Sequence, residues 1–197
     1  MPETEQDITA EFKTFLNDLA GTYTYALTGL QMLRKHTAEG LRRHSPQPTT
    51  MLEANSGPLP GNPRGETFHQ WAQADLLDNL DQRGLAARQI GHQWLTQVHH
   101  GWDDDHYGFR ARLAVARGLE KDDVKDPLFG DLNKMRNDVI HHRGIAQARN
   151  TGKCEHLHWF AVGDNMFIER RMVWEVMDAF GLTVTAPTGL FREFKAP

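Results

Sequence analysis

Asp126-Pro-Leu-Phe-Gly-Asp-Leu-Asn-Lys-Met-Arg-Asn-Asp-Val-Ile-His-His-Arg-Gly144 is the stretch on which the reading of this chain turns. Asp126 can cap the free N–H groups of a first helical turn, and Pro127 stands where a missing N–H costs nothing. Gly144 suits the left-handed conformation that follows a last turn. The spacing therefore predicts a single helix between them. With Leu132 at 0° and steps of about 100° per residue, Leu128, Met135 and Val139 share its face, while His141 falls at about 180°. The helix buries one side and turns His141 away from its own core. A histidine so placed meets solvent or another chain.

Upstream, Phe12, Leu16, Leu19, Tyr23, Ala26, Leu30 and Leu33 recur at alternating spacings of four and three, the pattern of a long amphipathic helix over about 8–43. Gly21 and Gly29 are where it would bend, and Arg34, Lys35, Arg42, Arg43 and His44 suit its C-terminal end. Residues 45–66 hold prolines 46, 48, 58, 60 and 63, and read as a Pro/Gly-rich surface loop between two helices. From Thr67 to about His100 the pattern is again helical, with Trp71, Leu77, Leu80, Trp94 and Val98 as core candidates. Gly84, Ala87 and Gly91 form a small-residue seam where the first helix is expected to cross, unless the helix breaks near Gly84. Gly101-Trp-Asp-Asp-Asp-His106 interrupts the pattern. Its carboxylates match no calcium-loop spacing and serve better as caps for a helix over about 107–120, whose Arg110, Arg112 and Arg117 form a wet face.

Downstream, Gly163-Asp-Asn165 lies between β-prone residues and predicts a β-hairpin at 157–168. Arg170 to Phe180 follows as a short amphipathic helix stopped by Gly181. Cys154, His156 and His158 have metal-binding side chains but lack a fourth ligand at zinc spacing, so no metal is assigned. The tail from Leu182 shows no clear period. The fold class that results is mostly α, an up-down helical bundle with a small β-hairpin near the C-terminus, in one domain spanning 1–197.

The chain has 197 residues, 39% apolar and 24% charged, ordinary values for a soluble globular protein. No apolar run approaches a membrane span, and the N-terminus has no signal-peptide pattern. A lone cysteine, Cys154, excludes an internal disulfide, and cytoplasmic residence is expected. The net charge of −4 argues against a protein that coats nucleic acid over its whole surface. Charge is nonetheless uneven. Lys134, Arg136, Arg143, Arg149, Lys153, Arg170 and Arg171 outnumber the acids Asp138, Glu155, Asp164 and Glu169 in the same region. A polyanionic substrate would need its positive charge there.

Cleaving RNA without a metal requires a base for the 2′-hydroxyl proton, an acid for the leaving oxygen and positive charge for the transition state. Histidine suits proton transfer near neutral pH, and a positioned one contributes about 10²- to 10⁴-fold. Arginine supplies a fixed, planar donor for phosphate oxygens. Asn137 stands four residues before His141, on the same helix face, where it can orient the imidazole or contact substrate. Arg-x₄-His alone carries little information, since Arg64 and His69 form a second instance. The added Asn137, the helix C-terminus and the neighbouring His142 make the pattern specific.

Arg136-Asn-Asp-Val-Ile-His141, with the preceding Asp126-Pro-Leu and the following His-Arg-Gly, resembles the motif of the HEPN family of small α-helical proteins. The resemblance implies a metal-independent ribonuclease without a cofactor, acting as a toxin or in antiviral defence on an RNA substrate. It implies a homodimer whose two motif helices form a composite site, and a cognate antitoxin or regulatory partner. Arg136 would then be the phosphate ligand, Asn137 a positioning residue and His141 the acid or base, with His142, Arg143 and Lys134 as further substrate contacts. Arg143 stands where relatives paired with nucleotidyltransferase antitoxins carry tyrosine, so control by tyrosine modification is not expected. The alternative is a catalytically silent HEPN-like module that binds nucleotide, RNA or a regulatory partner.

Overall fold

A computed structural model describes residues 3–44, 51–55, 67–104 and 107–182, and the chain is mostly helical. Six α-helices run in order: α1 Glu5–His44, α2 Gln73–Asn79, α3 Leu85–Asp103, α4 Phe109–Arg117, α5 Pro127–His142 and α6 Arg170–Ala179. Strands β1 Met51–Asn55 and β2 Thr67–Ala72 pair antiparallel between α1 and α2. The chain divides into two compact units, one of residues 1–23 and 91–197 and one of residues 24–90.

The first unit contains the motif helix and a dense core. Four elements are laid side by side, and ring contacts give their directions. Phe12 of α1 meets Trp102 of α3 at 5.6 Å between centroids, while Tyr23, eleven residues on, meets Trp94 at 6.1 Å, so α1 and α3 run antiparallel. Phe129 of α5 stacks on Trp102 at 4.3 Å and 8°, whereas Gly144 beyond the other end of α5 lies against the His92 ring. α5 therefore runs antiparallel to α3. Phe180, just past α6, packs on both Phe12 and Phe129, and the Tyr23 hydroxyl donates to the Ile168 carbonyl at 2.6 Å. These contacts make α6 antiparallel to α1 and to α5, and the result is an up-down-up-down bundle with an aromatic cluster at one end. Burial pushes the Tyr23 phenol up to about 12, so it remains a neutral donor.

Each helix follows its sequence locally. Asp126 accepts from the Leu128 and Phe129 N–H groups at 2.9 and 3.3 Å, and Pro127 opens α5 as expected. On α1 the buried set is Ile8, Phe12, Leu16, Ala20, Tyr23 and Leu27, and Leu33 is exposed. The expected Leu19 and Ala26 are displaced from the buried face because a straight helix drifts about 20° per heptad. Neither Gly21 nor Gly29 breaks the helix. On α4, Leu113 is buried but Val115 is exposed, as is Leu119 just past its end. Its arginines are not simply wet. Arg112 pairs with Glu3 and Glu11, Arg117 with Glu5, and Arg110 with Asp103 at 2.8 Å.

The expected hairpin at 157–168 does not form. Its turn is present, with Gly163 at φ 93° and the Asp164 N–H donating to the Ala161 carbonyl at 3.1 Å. The two arms, however, find other partners. Gly163 and Met166 donate to the carbonyls of Ala146 and Gly144 at 2.8 and 2.7 Å, around a single bridge between Ile145 and Asn165. The Glu155, His156 and Leu157 N–H groups are taken by the Asp131 carboxylate instead. A strand whose donors are already engaged cannot zip to its neighbour.

In the second unit the helix expected from Thr67 begins only at Gln73, because Thr67–Ala72 forms β2 against Met51–Asn55. Thr67, Phe68 and Trp71 are residue types favoured in strands. The chain turns between α2 and α3 at Gly84, where an added Cβ would sit 2.2 Å from the Asp78 carbonyl, so the alternative break there is the one observed. Within this unit Arg34 pairs with Asp81 at 3.2 Å. In the first unit Gly91 lies against Ile168, while α1 makes its close glycine approach at Gly101, under Phe15. Outside the described residues lie the rest of the 45–66 loop, Asp105, His106 and the tail from 183.

Candidate functional site

Leu132 and Met135 of α5 are fully buried. Asn137 and His141 lie on the side turned away from Leu132, and Arg136 stands about 40° from Leu132, at the edge of the core face. His141 is exposed, as its angle predicted, and Arg136 and Asn137 are half-buried. The Arg136 Nη1 donates to the Asn137 Oδ1 at 3.1 Å, which fixes these two as a pair. Asn137 is thus engaged by Arg136, with His141 one turn further on. A phosphate oxygen presented to this face would meet a guanidinium, a free amide edge and an imidazole along about 8 Å of helix.

The secondary residues separate. The Arg149 guanidinium lies 2.7 Å from His142 Nε2 and, since arginine can only donate, that ring nitrogen is engaged as an acceptor. Lys134 is committed to Asp131 at 2.9 Å and to the Lys153 carbonyl at 2.8 Å, and its bond to Asp131 raises its pKa. It is a structural cation first. Arg143 is exposed at the helix cap, with φ 56° and ψ 28°, the only non-glycine residue with positive φ among the described ones. Gly144 follows at φ 75° and donates to the Asp138 carbonyl at 3.0 Å, so the chain leaves the helix through two consecutive left-handed residues.

What holds the following loop along α5 is a pair of buried carboxylates that the sequence pattern did not reveal. Asp131 accepts from three successive backbone N–H groups, Glu155 at 3.0 Å, His156 at 2.7 Å and Leu157 at 3.0 Å, besides Lys134. Burial works to raise its pKa, but those donors outweigh it and hold the carboxyl at about 2. Asp138 accepts from Gln147 and Thr151 N–H groups at 2.8 and 3.1 Å and from the Asn150 amide at 2.6 Å. Its carboxyl is likewise lowered by these donors against burial. Spacing was the available signal, since Asp131 and Asp138 are seven apart and flank the apolar stripe at about −100° and −120°.

His99 was also missed. It is half-buried on α3, within reach of the Arg136 charge, and burial, with Arg136 among the secondary causes, lowers its pKa. It lines a cavity of about 380 Å³ that opens beside the first turns of α5. Trp102 and Phe129 give this cavity an apolar floor; Gly130, Asn133 and His156 are among its walls. Cys154 sits nearby with its thiol 3.7 Å from the Asp131 carbonyl and pushed up to about 12 by burial, far from the thiolate form a ligand requires. Among the described residues no three His, Cys, Asp or Glu side chains converge as a metal-binding group, and no helix is long and apolar enough to cross a membrane. Comparison with protein-family models, curated proteins and solved structures finds no match to this chain, so the family resemblance rests on the α5 residues themselves.

Proposed function

We propose that this chain is a HEPN-like endoribonuclease that cleaves RNA without a metal, at a composite site formed when two copies bring their α5 helices together. The observation that carries the reading is the exposure of His141 one turn beyond the hydrogen-bonded Arg136–Asn137 pair. One imidazole removes the proton of a 2′-hydroxyl, whose oxygen attacks the adjacent phosphorus. The 5′-oxygen leaves with a proton from a second imidazole, and a 2′,3′-cyclic phosphate remains. Arg136 balances the charge that grows on the non-bridging oxygens. Because a single chain presents one His141, the acid and the base come from opposite copies. A toxin or antiviral-defence role, and a partner that restrains it, follow from the same reading.

RNA incubated with the full chain in EDTA is expected to be cut to cyclic phosphate ends. His141→Ala and Arg136→Ala are each expected to lower the rate at least about 10²-fold, with circular dichroism and oligomeric state unchanged. Full cleavage by both variants, or cleavage only with added Mg²⁺, defeats the proposal. A second reading, binding without cleavage, is favoured by the cavity on the same helix face. It predicts RNA retention that Arg136→Ala abolishes while no product forms.

A further inference from the structure

The groups around the cavity divide into two sets. Asp103, Arg110, Asp131 and Lys134 are engaged with one another or with backbone, and Asp126 is spent on capping α5. Asn133, His99 and His156 have no hydrogen-bond partner for their side chains among the described residues. The uncommitted set is therefore one of short-range donors and acceptors beside the Trp102 and Phe129 rings, with Lys125 and Glu155 as two opposite charges that offset one another. Such a set, with its two free charges cancelling, suits a flat heterocycle with hydrogen-bonding edges. The free Asn133 amide carries both a donor pair and an acceptor, the combination that reads base edges.

Position narrows the ligand further. Gly130, Asn133, Asn137 and His141 follow one another along the same face of α5, with Asn133 about 6 Å before Asn137. That is within the span of one nucleotide from the phosphate assigned to Arg136. We propose that the cavity receives a nucleobase of the RNA strand, next to the phosphate held by Arg136, and so sets the base preference of the site. This rests on the reading of α5 as an RNA-contacting surface.

Gly130 offers a clean test, because a Cβ added there meets nothing within 4 Å and its φ is not positive. Gly130→Leu fills the cavity mouth while favouring the helix. Full-length chain carrying His141→Ala is titrated with adenosine, guanosine, cytidine and uridine 3′-monophosphates, read by NMR at the histidine and asparagine side chains. Binding with unequal affinities is expected, weakened about tenfold or more by Gly130→Leu and separately by Asn133→Ala. No binding by any of the four, or binding that both substitutions leave unchanged, overturns the proposal. If the nucleotides bind through the cavity while the chain with His141 intact cuts no RNA, the cavity stands and the ribonuclease reading falls. If RNA is cut and Gly130→Leu leaves the base preference unaltered, the cavity falls and cleavage stands.

Discussion

Asp131 and Asp138 have no solvent to fall back on, so their charge is tolerated only while the loop after α5 donates to it. The carboxyl of Asp131 is held at about 2 against an ordinary 3.8, which corresponds to about 2 kcal/mol of stability. Because the folded pKa is the lower one, that contribution is complete above about pH 4 and lost as the pH falls toward 2. Urea unfolding of the wild-type chain is expected to show this decline, with Asp138 adding to it in the same direction. Asp131→Asn should cost about 2 to 3 kcal/mol at pH 7 and remove its share of the acid dependence. Two neighbouring residues at the end of α5 should respond in opposite ways. Gly144→Ala is strained at φ 75° and drives a Cβ to 2.3 Å from the His92 ring, so a loss of about 3 kcal/mol is expected. Arg143→Gly relieves a left-handed arginine and should raise the unfolding free energy measured in urea by about 1 kcal/mol. Only part of this was legible. The exposure of His141 follows from an angle on a helix, but an aspartate's burial depends on where a loop from elsewhere delivers its N–H groups.

At the scale of elements, helices were readable where apolar spacing and caps agreed. Asp126-Pro127 and Gly144 mark α5 to within two residues, and α6 ends at Ala179 before Gly181 as its pattern implied. The errors have a common cause. At 157–168 a good turn was present, yet pairing is a competition for donors, and the Asp131 carboxylate and the Gly144–Ala146 carbonyls win it. At 67–72 the helical spacing of a few residues was outweighed by strand-forming types with a partner at 51–55. The antiparallel fit of α3 on α5 is the element on which the site depends. His92 lies against Gly144 just past the end of α5, His99 is half-buried beside the cavity, and Trp102 stacks on Phe129 at the beginning. Trp102→Ala is expected to cost about 3 to 5 kcal/mol in thermal or urea unfolding.

For the whole molecule, the buried apolar side chains are unevenly shared. Among the residues of 24–90 whose side chains are described, Leu27, Leu80 and Ala87 are the buried apolar ones, and Arg88 Nε is buried without a partner. The unit made of 1–23 and 91–182 holds the rest. Local opening follows the density of such contacts. Native-state hydrogen exchange is therefore expected to protect the first unit at or near the global unfolding energy, and to find exchange by local opening in 67–90. Equal protection of both units would contradict this. The single domain expected over 1–197 carried no statement of how its core is shared, since composition counts apolar residues and not where they meet.

The seven-residue interval between Asp131 and Asp138 has a consequence for how this chain can change over generations. Each carboxylate anchors its own stretch of the loop, Asp138 the residues from Gln147 to Thr151 and Asp131 those from Glu155 to Leu157. A helix and a loop joined at two rungs must keep their lengths in step. An exposed position such as Ala148 is open to substitution by type, yet a single inserted or deleted residue, on α5 or between the two anchors, would leave one rung out of register. The segment should therefore drift in identity while holding its length, a constraint visible only when helix and loop are counted together.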